Sequence, residues 1–107
     1  MVRLNITLRA VSAGDPAGLA EGLRFQVPDT QLEKGCLGCS TRFGSDFTVF
    51  YVEDWATEAD IRQRVLSDRF TSLMAVVEAA AHAEVQFDFV HETRGLEYVF
   101  EVREQTS

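Results

Sequence analysis

"CLGCSTRFGSDFTVFYVEDW", residues 36–55, holds two β-rich runs around a Gly44-Ser45-Asp46 turn. Short runs of β-branched and aromatic residues flanking such a turn predict a hairpin. The first run carries Cys36 and Cys39 in C-x-x-C spacing, which elsewhere marks a zinc knuckle or a dithiol centre. On a regular strand, residues three apart point to opposite faces. The two thiols are therefore expected to share neither a metal nor a disulfide. A zinc site would need two further Cys or His ligands, and only His82 and His91 remain, at no matching spacing. The pair reads as packing, and no metal is expected.

Upstream, "VRLNITLRAV" (2–11) alternates, with Val2, Leu4, Ile6 and Leu8 on one face and Arg3, Asn5, Thr7 and Arg9 on the other. That is a strand. Asp15 followed by Pro16 predicts a helix start, with Leu19, Leu23 and Val27 along one side. Pro28 is expected to interrupt this helix.

Downstream of Trp55, Thr57 and Asp60 form a variant capping box. Helical spacing then runs through Ile61, Val65, Leu66, Phe70, Leu73, Val76 and Val77, with "LSD" near residue 67 marking a break into two pieces. "AEVQFDFVHET" (83–93) alternates again, placing Val85, Phe87, Phe89 and His91 on one face. After an Arg94-Gly95 turn, "LEYVFEVRE" (96–104) reads as a last strand.

The predicted order is β-α-β-β-α-β-β, the ferredoxin-like split β-α-β plan of an α+β protein, an antiparallel sheet with helices on one face. The chain of 107 residues reads as one domain, 1–107. Large apolar residues assigned to both sheet faces (Phe43, Phe47, Val49, Phe50, Phe87, Phe89) predict that a second subunit covers the open one, giving a homodimer.

A net charge of −7 without a basic run argues against nucleic acid. The alternating N-terminus does not read as a signal peptide. No apolar stretch reaches the ~18 residues a membrane span needs. Two cysteines in such a chain point to the reducing cytoplasm.

"EKGCLGC", "VEDWATEADI", "LSDRF" and "TRGLEYVFEVR", in that order and spacing, resemble the antibiotic-biosynthesis monooxygenase family of dimeric α/β barrels. The resemblance implies two ferredoxin-like protomers with their sheets face to face. It also implies oxygenation of a quinol or polyphenol-type aromatic without metal, flavin or haem, so no cofactor is expected. In that chemistry the electron-rich substrate itself reduces oxygen.

Trp55 matches the tryptophan that ends the family's third strand. Where many members carry helix histidines, this chain has Arg64 and Arg69. Where the polyketide-oxidising branch has asparagine and tyrosine, it has Tyr51 and Ile61. Asn5 matches the first-strand asparagine of haem-degrading relatives, but Arg64 and Met74 stand where the tryptophan and histidine would align, so the iron ligand is missing.

The candidate catalytic residues are Trp55 and His91, the latter as proton acceptor because histidine titrates near neutrality. The candidate substrate-binding residues are Asn5, Tyr51, Arg64 and Arg69, the arginines as fixed cations for a phenolate or carboxylate. The acidic residues, Glu33, Glu53, Asp54, Glu58 and Asp60, show no paired face. Two functions follow: a cofactor-independent monooxygenase, or a non-catalytic dimer that binds an anionic aromatic.

Overall fold

The computed structural model describes residues 1–9, 16–44, 47–80 and 82–106. The cap assigned to Asp15 and the Ser45–Asp46 turn lie outside these residues, and the side chain of Leu19 is likewise not described.

The elements run β1 (Val2–Arg9), α1 (Pro16–Gln31), β2 (Cys36–Phe43), β3 (Thr48–Trp55), α2 (Glu58–Leu66), α3 (Asp68–Ala79), β4 (His82–Asp88), β5 (Thr93–Arg94) and α4 (Glu97–Thr106). The sheet order is β2-β3-β1-β4-β5, and each neighbouring pair is antiparallel. This is the ferredoxin-like arrangement, with β1 and β3 central.

Alternation decides which side is buried. Val2, Leu4, Ile6 and Leu8 of β1 join Val49, Tyr51 and Trp55 of β3 and Phe87 of β4 on one face. Ile61 and Val65 of α2, Phe70, Leu73 and Val77 of α3, and Val99 and Val102 of α4 pack onto that face. The loss of apolar surface to water here is the main drive for folding.

The helix breaks are chemical. Thr57 Oγ1 accepts from the Asp60 N–H at 3.2 Å, capping α2 as predicted. Ser67 ends α2 by donating its N–H to the Arg64 carbonyl, and starts α3 by accepting from the Phe70 N–H at 3.2 Å.

Several expectations need correction. The helix α1 runs through Pro28 to Gln31. Proline removes one intrahelical bond, but only three residues follow it, and the Thr30 hydroxyl adds a 2.7 Å bond to the Gln26 carbonyl. At the hairpin, Phe47 takes φ 58° and β3 starts at Thr48.

Residues 97–104 of the predicted last strand are helix. Tyr98, Val99 and Val102 satisfy a helical stripe as well as "LEYVFEVRE" satisfies alternation, and they are the buried residues. Leu96 and Phe100 stay exposed. Arg94 reaches both Glu97 (3.5 Å) and Glu101 (2.6 Å), which only a helical turn brings to one side. Arg103 then ties α4 to the Val65 carbonyl at the end of α2.

The open face is mainly polar. Of the six apolar residues expected to fill both faces, Val49 and Phe87 lie under the helices. Phe43 and Phe47 are exposed at the hairpin end, and Phe89 packs against the core beyond β4. Phe50 remains, beneath the Arg42 guanidinium at 4.3 Å. The same face carries the Arg3–Asp54 ion pair (2.7 Å) and the Asn5 amide donating to Asp88 (2.8 Å). Among the described residues, no helix is long and apolar enough to cross a membrane.

Candidate functional site

The site begins with a bulge. Cys36 pairs with Trp55, Gly38 with Asp54 and Cys39 with Glu53, so the register slips by one residue across Leu37. A bulge inserts one unpaired residue and resets the alternation. Cys36 and Cys39 therefore face the same helix-covered side, which corrects the expectation of opposite faces. Both are free thiols. Cys39 is buried and donates to the Tyr51 hydroxyl at 3.3 Å, while Cys36 donates to the Gly38 carbonyl at 3.4 Å. Among the described residues, no three His, Cys, Asp or Glu side chains gather to hold a metal ion.

Next to Cys39, period-two spacing on β3 lines up Tyr51, Glu53 and Trp55, all buried. A buried carboxylate must be paired and hydrogen-bonded. Glu53 takes the Tyr51 hydroxyl (2.5 Å), the Trp55 indole N–H (2.9 Å), and Nε and Nη2 of Arg64 (3.1 and 2.9 Å). Four donors fill the roughly four lone-pair sites of a carboxylate. Glu53 therefore has no lone pair left to accept a hydrogen bond from a ligand.

Arg64 reaches it from the buried side of α2, one turn after Ile61. Its Nη2 also donates to the Thr30 hydroxyl at 3.2 Å, which the α1 extension past Pro28 puts in place. Burial opposes the charge of Arg64, but its bonds to Glu53 and the charge there outweigh burial and hold the guanidinium more firmly protonated than usual. Burial, reinforced by the charge of Glu53, pushes Tyr51 far above the usual phenol range. Burial likewise pushes the Cys39 thiol up to about 12. No phenolate or thiolate base forms here near neutral pH.

Outside this cluster lies a cleft of about 390 Å³, within the range of small-molecule sites. Glu33 and Lys34 form one wall, Ala59, Asp60 and Gln63 the other, and Trp55 and Arg64 the floor. Tight turns after α1 (Glu33 N–H to the Thr30 carbonyl, Cys36 N–H to the Glu33 carbonyl) hold the first wall. Gly35 closes it at φ 87°, where an added Cβ would lie 2.2 Å from Asp60 Cγ, so glycine is what lets the walls meet. Arg64 Nη1 faces Glu33 Oε2 at 3.5 Å, and neither atom has a hydrogen-bond partner among the described residues.

Of the candidates from sequence, Trp55, Tyr51 and Arg64 come together. The others do not. Asn5 lies on the open sheet face, and Arg69 is exposed, donating to the Asp29 carbonyl at 3.4 Å. His91 does not share the Phe87 face. Strand β4 stops at Asp88, and the Phe89 N–H bonds the Glu92 carbonyl across a turn that leaves His91 exposed. His91 lines a separate cleft of about 370 Å³ with Met1, Val2 and Phe89. A third, of about 430 Å³, lies by Thr7, Arg9, His82 and Glu84. Glu33, Glu53 and Thr30 were missed; an acid at the middle of the Tyr51-x-Glu53-x-Trp55 face is the signal that could have found Glu53.

Sheet order, helix-covered face and buried β3 cluster define an α+β protein of the ferredoxin-like class. No family model matches the chain, and no curated protein matches it in sequence. Solved structures do match. A Deinococcus radiodurans protein provisionally named an antibiotic biosynthesis monooxygenase superposes with a TM-score of 0.73 at 20% identity, over 86% of this chain and 94% of its own. A protein named antibiotic biosynthesis monooxygenase gives 0.69 at 16%, over 86% and 100%. A third, from Nitrosomonas europaea and provisionally so named, gives 0.70 at 12%, over 86% and 100%. The chain has the antibiotic biosynthesis monooxygenase-like fold. At these identities the likeness is one of fold, which does not carry function with it.

Proposed function

We propose that this chain is a cofactor-independent monooxygenase that oxidises a phenol- or quinol-type aromatic held in the Glu33–Trp55–Arg64 cleft. The observation that carries this reading is Arg64 Nη1. It belongs to a fully buried cation, lies beside an aromatic floor, and has N–H groups with no hydrogen-bond acceptor among the described residues. Such a donor stabilises charge on a ligand oxygen as the ring gives up electrons. The fold shared with proteins named monooxygenases supports the reaction class.

The electrons balance without an outside reductant. A phenol with hydrogen at its para carbon gains one oxygen atom there and becomes a quinone. The second oxygen atom leaves as water, and all four electrons come from the ring.

A second reading is a dimer that binds an anionic aromatic without turnover. The saturation of Glu53 favours it, since the Tyr51–Glu53–Arg64 cluster contains no free proton acceptor. Oxygen uptake separates the two. Purified, chelator-treated protein with a panel of phenols and naphthols unsubstituted at the para carbon consumes oxygen above autoxidation, and Trp55→Phe slows this about tenfold, a loss of ~1.4 kcal/mol of transition-state stabilisation. Uptake at background for the whole panel moves the weight to the binding reading.

A further inference from the structure

We infer that Glu33 is the proton acceptor of the cleft and that, with Arg64, it selects a ligand carrying an un-ionised hydroxyl. This rests on the cleft being the ligand site proposed above, but not on the oxygen chemistry.

The two facing atoms have complementary needs. Arg64 Nη1 can only donate and ionised Glu33 Oε2 can only accept. They stand 3.5 Å apart without a hydrogen bond, both shielded from solvent. A hydroxyl between them accepts from the arginine and donates to the carboxylate, replacing one loose ion contact by two charge-assisted bonds. Two such bonds meeting at one oxygen span roughly 4.5 Å, so the pair must part by about 1 Å. Glu33 is the side that moves. Its side chain keeps 23% exposure, while that of Arg64 keeps none and is held by Glu53 and Thr30.

Charge then decides the ionisation state. Glu53 already matches the Arg64 charge through two bonds. Glu33 therefore leaves the inner end of the cleft negative. The other charged or titratable groups toward Glu33 are Lys34 beside it, Asp60 from α2, and the Cys36 thiol from β2, which feels the charge of Glu33. A phenolate or carboxylate would be repelled by Glu33, whereas a neutral phenol is held by both partners. During oxidation the ring loses electrons and its hydroxyl becomes strongly acidic. The O–H bond then breaks toward Glu33, and Arg64 keeps the oxygen.

The test uses 4-nitrophenol, whose para carbon is blocked so that it cannot be hydroxylated there, and whose colour reports ionisation. Bound to the wild-type protein, it titrates at least about one pH unit above the free probe, a tenfold shift toward the neutral form. In Glu33→Gln the carboxylate charge is gone while Arg64 remains, and the bound probe titrates below the free one. Circular dichroism confirms that the variant is folded, as expected for a part-exposed isosteric change. A wild-type probe that ionises more readily than the free one, equal values in both proteins, or no binding to the wild type overturns the inference. Oxygen uptake is scored separately, so a failed oxidation leaves this result standing.

Discussion

Glu53→Leu lowers the stability of this protein by about 3–5 kcal/mol, the range for removing one partner of a buried ion pair. The reason is what stays behind. Arg64, with a side chain that has no exposed surface, loses two of its bonds, and the Tyr51 hydroxyl and Trp55 indole N–H lose their acceptor. Against a total of roughly 5–15 kcal/mol for a domain, the change is severe. It corresponds to a fall in melting temperature of roughly 15 °C or more.

The double variant Glu53→Leu, Arg64→Met separates this cause from simple damage to packing. Replacing both charges by apolar groups removes the stranded cation. The double variant is therefore more stable than Glu53→Leu alone by about 2 kcal/mol. Urea titrations of wild type, both single variants and the double variant measure it. Additive losses contradict the picture of one cooperative cluster.

The second large effect is on the alkaline side. Burial raises Cys39 from 9.0 to about 12. An unfolded chain releases that proton near pH 9, whereas the native protein keeps it. Between these values the unfolded state binds fewer protons, so stability, complete below pH 9, falls as pH rises, by ~1.4 kcal/mol per unit. Tyr51, also raised by burial and by Glu53, adds a loss that begins near 10. At pH 10 the protein is less stable than at pH 8 by about 2 kcal/mol. Urea midpoints at the two pH values, with a reductant present, check this. Cys39→Ala removes most of the difference, because Cys39 titrates first. A pH-independent midpoint would show that these groups are not held protonated.

The hairpin, the Thr57 cap and the Ser67 break were legible because each rests on neighbours a few residues apart. The last segment was not. "LEYVFEVRE" fits both periods, and Arg94, which pairs with Glu97 and Glu101, settles it as helix. The shared face of Cys36 and Cys39 depends on a register slip at Leu37, which no count along one strand can reveal. Trp55, Tyr51 and Arg64 entered as candidates through the family resemblance, Trp55 as a match and the other two as departures. Glu33 escaped because its place in the cleft comes from a turn after α1 that meets the start of α2, a contact between distant segments. His91 was assigned to a strand that ends three residues earlier.

The most direct test of the account is where an aromatic binds. Hydroquinone, added under argon to isotope-labelled protein, is followed by amide and indole chemical shifts. The account predicts changes at Glu33, Lys34, Ala59, Asp60, Gln63 and the Trp55 indole N–H. Changes confined to the cleft of Thr7, Arg9 and His82, or to that of Met1, Phe89 and His91, would contradict it.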